Sequence, residues 1–245
     1  MSTAEQPDDG WDQSADPWIR LMAKGDPNRV FLLDGAMLDL CGAVHGLDVI
    51  DVGCGEGRFC RMLAKRGAHM TGIDPTAKLI AEAKRRQPDA VFHEAKAEAL
   101  PVADASMGLV VSYLSLLDIP DYKTAINEMM RVLKPGGRCV IANQNGFATA
   151  STKYWARDED NNKLHWTMDN YSTERPCKAE WAGISVINWH RPMSAYMSAF
   201  LHAGFVLESF DEPVPKAHVP EAPDLFSTNR RVPIFCTMVW RVPAK

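Results

Sequence analysis

Polar and apolar positions along the chain fall into short blocks with two different periods. Leu47 to Val52 is an apolar, β-branched run broken only by acids, which predicts one buried strand. Gly53, Gly55 and Gly57 follow, alternating with Cys54 and Glu56, and then Phe59, Met62 and Leu63 recur at helical spacing. Strand, glycine turn and helix in that order aim backbone N–H groups at whatever lies before the helix, a place suited to negative charge or hydroxyls. A second apolar stretch, Met70 to Ile73, ends in Asp74, about twenty residues past the first glycine, where a doubly wound sheet places an acid on a ribose diol.

The same alternation continues. Thr76 to Arg86 predicts a helix, Ala90 to His93 a short strand and Leu109 to Tyr113 a fourth strand. Asp121 is placed to cap a helix running to Leu133, with Ile126, Met129, Met130 and Leu133 on its apolar face. Lys134-Pro135-Gly136-Gly137 stops it, and Cys139 to Ala142 predicts strand five. Before this core, Trp11, Trp18, Ile19 and Met22 share one helical face, Gly25 to Asn28 is a turn, and Val30 to Leu40 a second helix. After it, the pattern lapses from Asn143 to His190, a polar stretch that nevertheless holds four of the seven tryptophans. Pro192 to Ala203 predicts a helix ended by Gly204, and Phe205 to Phe210 and Ile234 to Trp240 the last strands, joined by a loop from Glu212 to Pro233.

This pattern predicts an α/β fold with a mostly parallel sheet of seven strands, and one domain over 1–245. Within it, 11–45 form a helical flap, 46–145 the ligand-binding core, 146–191 an aromatic insertion and 192–245 the closing helix and strands. The insertion leaves a carboxyl end of the sheet, which favours a lid over a flat substrate above the alternative, a small accessory core filled by its tryptophans. The flap helix has the same two readings, cover or core.

Charge and cysteine content narrow the partners. A net charge of −4, with basic clusters no longer than Lys84-Arg85-Arg86, gives no field that would gather nucleic acid or an anionic membrane. Six cysteines without a CxxC pair suggest reduced thiols and a cytoplasmic setting. Met1 to Gly10 is polar and acidic, unlike a signal peptide, and is expected to be disordered. No apolar run is long enough to span a bilayer. The histidines lack ligand spacing, so no metal is expected. The expected partner is a small-molecule acceptor, and the chain a monomer or homodimer.

Taken together, Val49-Ile50-Asp51-Val52-Gly53-Cys54-Gly55-Glu56-Gly57 resembles the first motif of class I S-adenosylmethionine (SAM) methyltransferases, and Gly72-Ile73-Asp74-Pro75 their second. Ala97-Glu98-Ala99-Leu100-Pro101 with Leu109-Val110-Val111-Ser112, and Glu128 to Gly137, are similar to later motifs of the small-molecule branch typified by ubiquinone- and menaquinone-pathway enzymes, the type 11 methyltransferases. The resemblance covers roughly 46–145 and implies a Rossmann-like fold and SAM, which leaves as S-adenosylhomocysteine. It implies that Gly53, Cys54 and Gly55 pass beside the methionine limb and that Asp51 fixes the turn or meets the ligand amine. Asp74 would hold the ribose, Pro75 pack on the adenosine, Ala97 and Glu98 border the adenine, and Ser112 flank the amino-acid end. Lys96 stands where the family usually has an acid, and Met107-Gly108 where Phe-Asp is common, so a side-chain contact from position 96 to the adenine amine is in doubt.

The acceptor is less legible. Ser112-Tyr113-Leu114-Ser115 replaces the Asn/Asp-Pro-Pro-Tyr of amine methylation at nucleobases or glutamine. Methyl transfer to oxygen or nitrogen of a small aromatic or heteroaromatic metabolite is the expected reaction, with His190, Tyr113 and Asp118 as candidate catalytic groups and His165 as a further histidine in the insertion. Trp18, Tyr113, Trp155, Trp166, Tyr171 and Trp189 are the candidate acceptor-binding aromatics. Methylation of carbon in a quinone-like ring, or a non-catalytic SAM- or nucleoside-binding module, are the alternatives. A nicotinamide site is disfavoured because Arg58 occupies the third glycine of that pattern.

Overall fold

The computed structural model describes residues 9–151, 153–215 and 220–244, so the amino terminus expected to be disordered lies, through residue 8, outside the described residues. Its centre is a seven-stranded sheet. Five strands run parallel: β1 (Asp48–Val52), β2 (His69–Asp74), β3 (Val91–Glu94), β4 (Met107–Tyr113) and β5 (Leu133–Gln144). Their spatial order is 3-2-1-4-5, so the topological switch falls between β1 and β4. Two late strands, β10 (Val206–Asp211) and β11 (Phe235–Arg241), complete the β5 edge in antiparallel fashion.

Period-two alternation divides the sheet's side chains between two cores. Val49, Leu109, Val111 and Val140 face one side, packed with α2 (Asp34–Cys41), α3 (Arg58–Ala64) and α4 (Ala77–Arg86). Ile50, Val110, Ile141 and Trp240 face the other, against α5 (Tyr122–Val132) and α7 (Met193–His202). Asp51 shares the face of Val49 and is 1% exposed, an acid at a position the alternation reserves for an apolar group. Asp121 caps α5 as expected, its carboxylate accepting from the Thr124 amide at 3.1 Å.

Four segments differ from expectation. The helix expected over 30–40 begins as a single π-helical turn, Arg29–Leu33, before α2. The lapse after β5 folds as a short helix, α6 (Gly146–Thr149), and two hairpins, β6 (Trp155–Arg157) with β7 (Lys163–Trp166) and β8 (Arg175–Trp181) with β9 (Ile184–His190). The expected loop 212–233 contains α8 (Pro223–Arg231), started by a proline at its first turn. The flap helix, α1 (Trp11–Lys24), runs two residues longer than its apolar face. All six cysteines are free thiols, five of them buried. Among the described residues, no helix is long and apolar enough to cross a membrane.

Candidate active site

One pocket lies at the carboxyl ends of β1, β2, β3 and β4, where open α/β sheets bind ligands. Asp51 and the 53–56 turn form one wall, Asp74 to Thr76 and the segment 95–98 a second, and 113–115 with 118–120 a third. Trp11, Trp18 and Met22 of α1 close the fourth side. The turn is tight because the amides of Gly53 and Cys54 both donate to the Ile73 carbonyl, at 2.8 and 2.9 Å. Gly53 (φ 77°) and Gly55 (φ 55°) are left-handed, and a Cβ on Gly53 would stand 2.2 Å from the Ser115 Cβ. Glu56, 2% exposed, locks the turn from behind through Arg61 at 2.9 Å and Arg86 at 3.3 Å.

Two buried carboxylates dominate the electrostatics. Asp51 Oδ2 accepts from the Cys60 thiol at 3.4 Å, while Oδ1 has no hydrogen-bond partner among the described residues. Burial pushes its carboxyl up to about 7, opposed by the Cys60 hydrogen bond and the nearby Arg29 guanidinium. Asp74 Oδ2 accepts from the Gly55 amide and Oδ1 from the Thr76 amide, both at 2.9 Å. Burial raises it to about 6 against the pull of those two donors. The Thr76 side chain adds a third donor, and the carboxylate's four lone-pair positions still leave room for a hydroxyl donor.

The π-helical turn brings in a group that the sequence reading missed. Arg29, 8% exposed, lies 4.4 Å over the Tyr113 ring and 5.2 Å from the Trp18 ring centre. Among the described residues its Nε makes no hydrogen bond, and the Asp26 carboxylate lies 3.8 Å away. Beside it, Arg58 donates to both oxygens of Asp34, at 2.9 and 2.5 Å, and Tyr113 Oη donates to the same carboxylate at 3.0 Å. A bare carboxylate oxygen and a bare guanidinium nitrogen in one pocket are complementary to an amino-acid zwitterion. A bare, left-handed glycine turn and an acid with spare lone pairs suit a ribosyl ligand. The residues present therefore fit SAM.

The remaining expected residues divide. Pro75, Ala97 and Glu98 line the pocket with Cys54 and Gly55. Ser112 is fully buried and does not; its hydroxyl lies 2.7 Å from that of Ser115, which bonds the Val52 carbonyl at 2.5 Å and is the pocket-lining serine. Strand alternation turns position 112 to the other face. Tyr113 lines the pocket, where burial and its bond to Asp34 hold the phenol well above its usual range, so it stays protonated. His190 is corrected as well. It is fully buried, Nδ1 lies 2.7 Å from Thr149 Oγ1 and Nε2 2.9 Å from the Tyr171 carbonyl, so both ring nitrogens serve the fold. His165 is exposed on β7.

Nor do Trp155, Trp166 and Tyr171 reach the pocket. The two tryptophans pack edge to face at 5.5 Å, with the Arg231 guanidinium of α8 4.4 Å over Trp155, and the Tyr171 hydroxyl accepts from the Met193 amide at 3.0 Å. These half-buried aromatics pack the insertion against the carboxyl-terminal helices. Trp189 instead lines a neighbouring cleft with Tyr122, Pro176 and Ile187, and that cleft shares Asp9, Asp118 and Pro120 with the pocket. Arg191, 1% exposed, fixes the loop between, donating to the carbonyls of Leu116, Ile119 and Pro120 at 3.2, 2.6 and 3.0 Å.

Residues 50–141 match a family model described as a methyltransferase domain. The chain is 36% identical over 126 residues to a demethylmenaquinone methyltransferase of Renibacterium salmoninarum, covering 49% of this chain and 53% of that protein. It is 27% identical over 143 residues to a malonyl-[acyl-carrier protein] O-methyltransferase of Pectobacterium atrosepticum, covering 58% and 56%. It thus spans about half the length of the curated relatives it matches. The crystal structure of an S-adenosylmethionine-dependent methyltransferase from Mesorhizobium loti aligns with a TM-score of 0.77 at 27% identity, over 89% of this chain and 99% of that one. Motifs, strand order and matched model agree: residues 50–141 match a methyltransferase domain, and the fold is that of class I, S-adenosylmethionine-dependent methyltransferases.

Proposed function

We propose that the protein binds SAM in the pocket above β1 and β2 and transfers its methyl group to oxygen or nitrogen of a small, flat acceptor. One observation carries this reading: a single pocket gathers the bare Asp51 oxygen, the left-handed glycine turn and Asp74 at the switch point of the sheet. SAM supplies an electrophilic methyl on a sulfonium, which a nucleophile displaces in line. The chain's own residues bind and orient. Asp51 meets the amine and Arg29 the carboxylate of the amino-acid limb, Asp74 accepts from the ribose, and 95–98 border the adenine. Trp11, Trp18 and Met22 exclude water, so that alignment in a dry site lowers the barrier. Asp118, its carboxyl raised to about 8 by burial, is the group placed to receive a proton when ionised, on the alkaline side of that value.

The match to a demethylmenaquinone methyltransferase supports a second reading, transfer to carbon of a quinone-like ring. Labelled SAM followed by product analysis separates the two. The cofactor assignment is tested by Asp74→Ala. Losing charge-assisted hydrogen bonds worth about 1.5–3 kcal/mol should weaken SAM about tenfold or more by calorimetry. Unchanged affinity refutes the assignment.

A further inference from the structure

The pocket does not end at Tyr113. Asp9, Asp118 and Pro120 belong both to it and to the neighbouring cleft of about 470 Å³, within the range of small-molecule sites. The cleft walls are flat and apolar, from Pro120, Tyr122, Pro176, Ile187 and Trp189. Its charged groups are unevenly committed. Asp121 is occupied capping α5, and Lys123 Nζ lies 5.7 Å over the Tyr122 ring. At the junction, Asp9 Oδ1 accepts from the Trp11 amide at 3.0 Å. Asp118 Oδ1 accepts from Asn188 Nδ2 of β9, and its Oδ2 has no partner among the described residues. The Arg191 clamp holds the backbone of this loop, so Asp118 is a fixed group at a doorway.

Resting on the proposed SAM site, we propose that this cleft is the acceptor site, and that its acceptor is a neutral aromatic or heteroaromatic amine presented between Trp189 and Asp118. Charge movement selects this class. The acceptor nitrogen forms the new bond to the methyl carbon as the carbon–sulfur bond breaks, the bonding pair going to sulfur. Positive charge thereby passes from sulfur to nitrogen, beside Asp9 and Asp118, and an N–H proton is lost to Asp118 Oδ2. Two carboxylates favour that displacement of charge and oppose an anionic nucleophile such as a carboxylate or phenolate. The aromatic walls stack a flat ring and favour its cationic product. Asp118 faces Asn188 on β9, Asp74 on β2, Asp9 ahead of α1 and Arg29 on the π turn; the two acids add to burial in raising it, and Arg29 opposes them.

The test uses the full chain saturated with S-adenosylhomocysteine, on the alkaline side of the Asp118 titration, with 6-aminoquinoline and 2-naphthoate as size-matched probes. Calorimetry should show 6-aminoquinoline binding and 2-naphthoate excluded. Trp189→Ala should weaken the amine roughly tenfold or more while S-adenosylhomocysteine binds as in the parent, and Trp189→Phe should restore it. Asp118→Asn should weaken discrimination against the naphthoate, Asp9 alone then opposing it. Equal or preferred binding of the naphthoate, binding of neither probe, or indifference to Trp189→Ala overturns the inference. Failure of S-adenosylhomocysteine to bind the parent overturns the cofactor site itself, so the two failures are distinguishable.

Discussion

Asp51 sits where the alternation of β1 calls for an apolar side chain; it lines the pocket, with one oxygen unpaired among the described residues. Such a position costs folding free energy. With the folded pKa raised to about 7, the group's contribution is favourable below the unfolded value near 3.8 and is lost as pH rises toward 7. A ligand ammonium reverses this by favouring the charged form. S-adenosylhomocysteine should therefore bind more tightly as pH rises through about 7, and Asp51→Asn should flatten that dependence in calorimetry; a parent profile without slope removes the assignment. Arg29 makes a sharper prediction. Arg29→Ala should weaken SAM about tenfold or more, yet leave decarboxylated SAM nearly unaffected, since only the former carries the carboxylate. Equal losses would make Arg29 structural. Asp51 was legible because an acid interrupted a strand pattern. Arg29 was not, because nothing in a run of helical residues marks where one extra residue per turn will rotate a side chain inward. Ser112 misled for a related reason: a motif names a neighbourhood, and only the pleat decides which of two serines lines the pocket.

Strands β1 to β5 and their helices were readable because each apolar face has one period and each break carries glycine, proline or a cap. The insertion was opaque because its hairpins have mixed burial, and tryptophan spacing does not reveal what tryptophan packs against. In the structure, the second hairpin braces α1. The Ile187 amide donates to the Asp9 carbonyl at 2.9 Å, Ser14 Oγ exchanges hydrogen bonds with Ser185 at 3.0 Å, and Gly10 (φ 83°) lies so close that a Cβ would meet the Ser185 oxygen at 2.3 Å. Gly10→Val should release α1: deuterium uptake over 11–24 should rise and S-adenosylhomocysteine affinity fall, with β1–β5 uptake unchanged. Unaltered uptake in α1 would deny the brace. His190 belongs to the same hairpin. Burial lowers its pKa below the usual 6.5, so the neutral ring is the folded form. Its stabilisation is present above that value and lost as pH falls. His190→Ala should lower the melting temperature at neutral pH, with the gap from the parent narrowing in acid, and should not change the pH profile of turnover.

The sheet supplies a rigid floor with a switch point, the glycine turn and two buried acids supply the cofactor wall, and the amino-terminal helix with its hairpin supplies the roof. The family model spans 50–141, which is the floor and the cofactor wall. Of the residues lining the proposed acceptor cleft, Asp9, Pro176, Ile187 and Trp189 lie outside that span, so proteins that share the family segment can differ in what they methylate. The most direct measurement is the electron density of crystals grown with S-adenosylhomocysteine. The account predicts the ribose hydroxyls on Asp74, the amine on the free oxygen of Asp51 and the carboxylate on Arg29, beneath Trp18. Density with the ribose away from Asp74, or a ligand seated elsewhere while Asp51 keeps its unpaired oxygen, would contradict it.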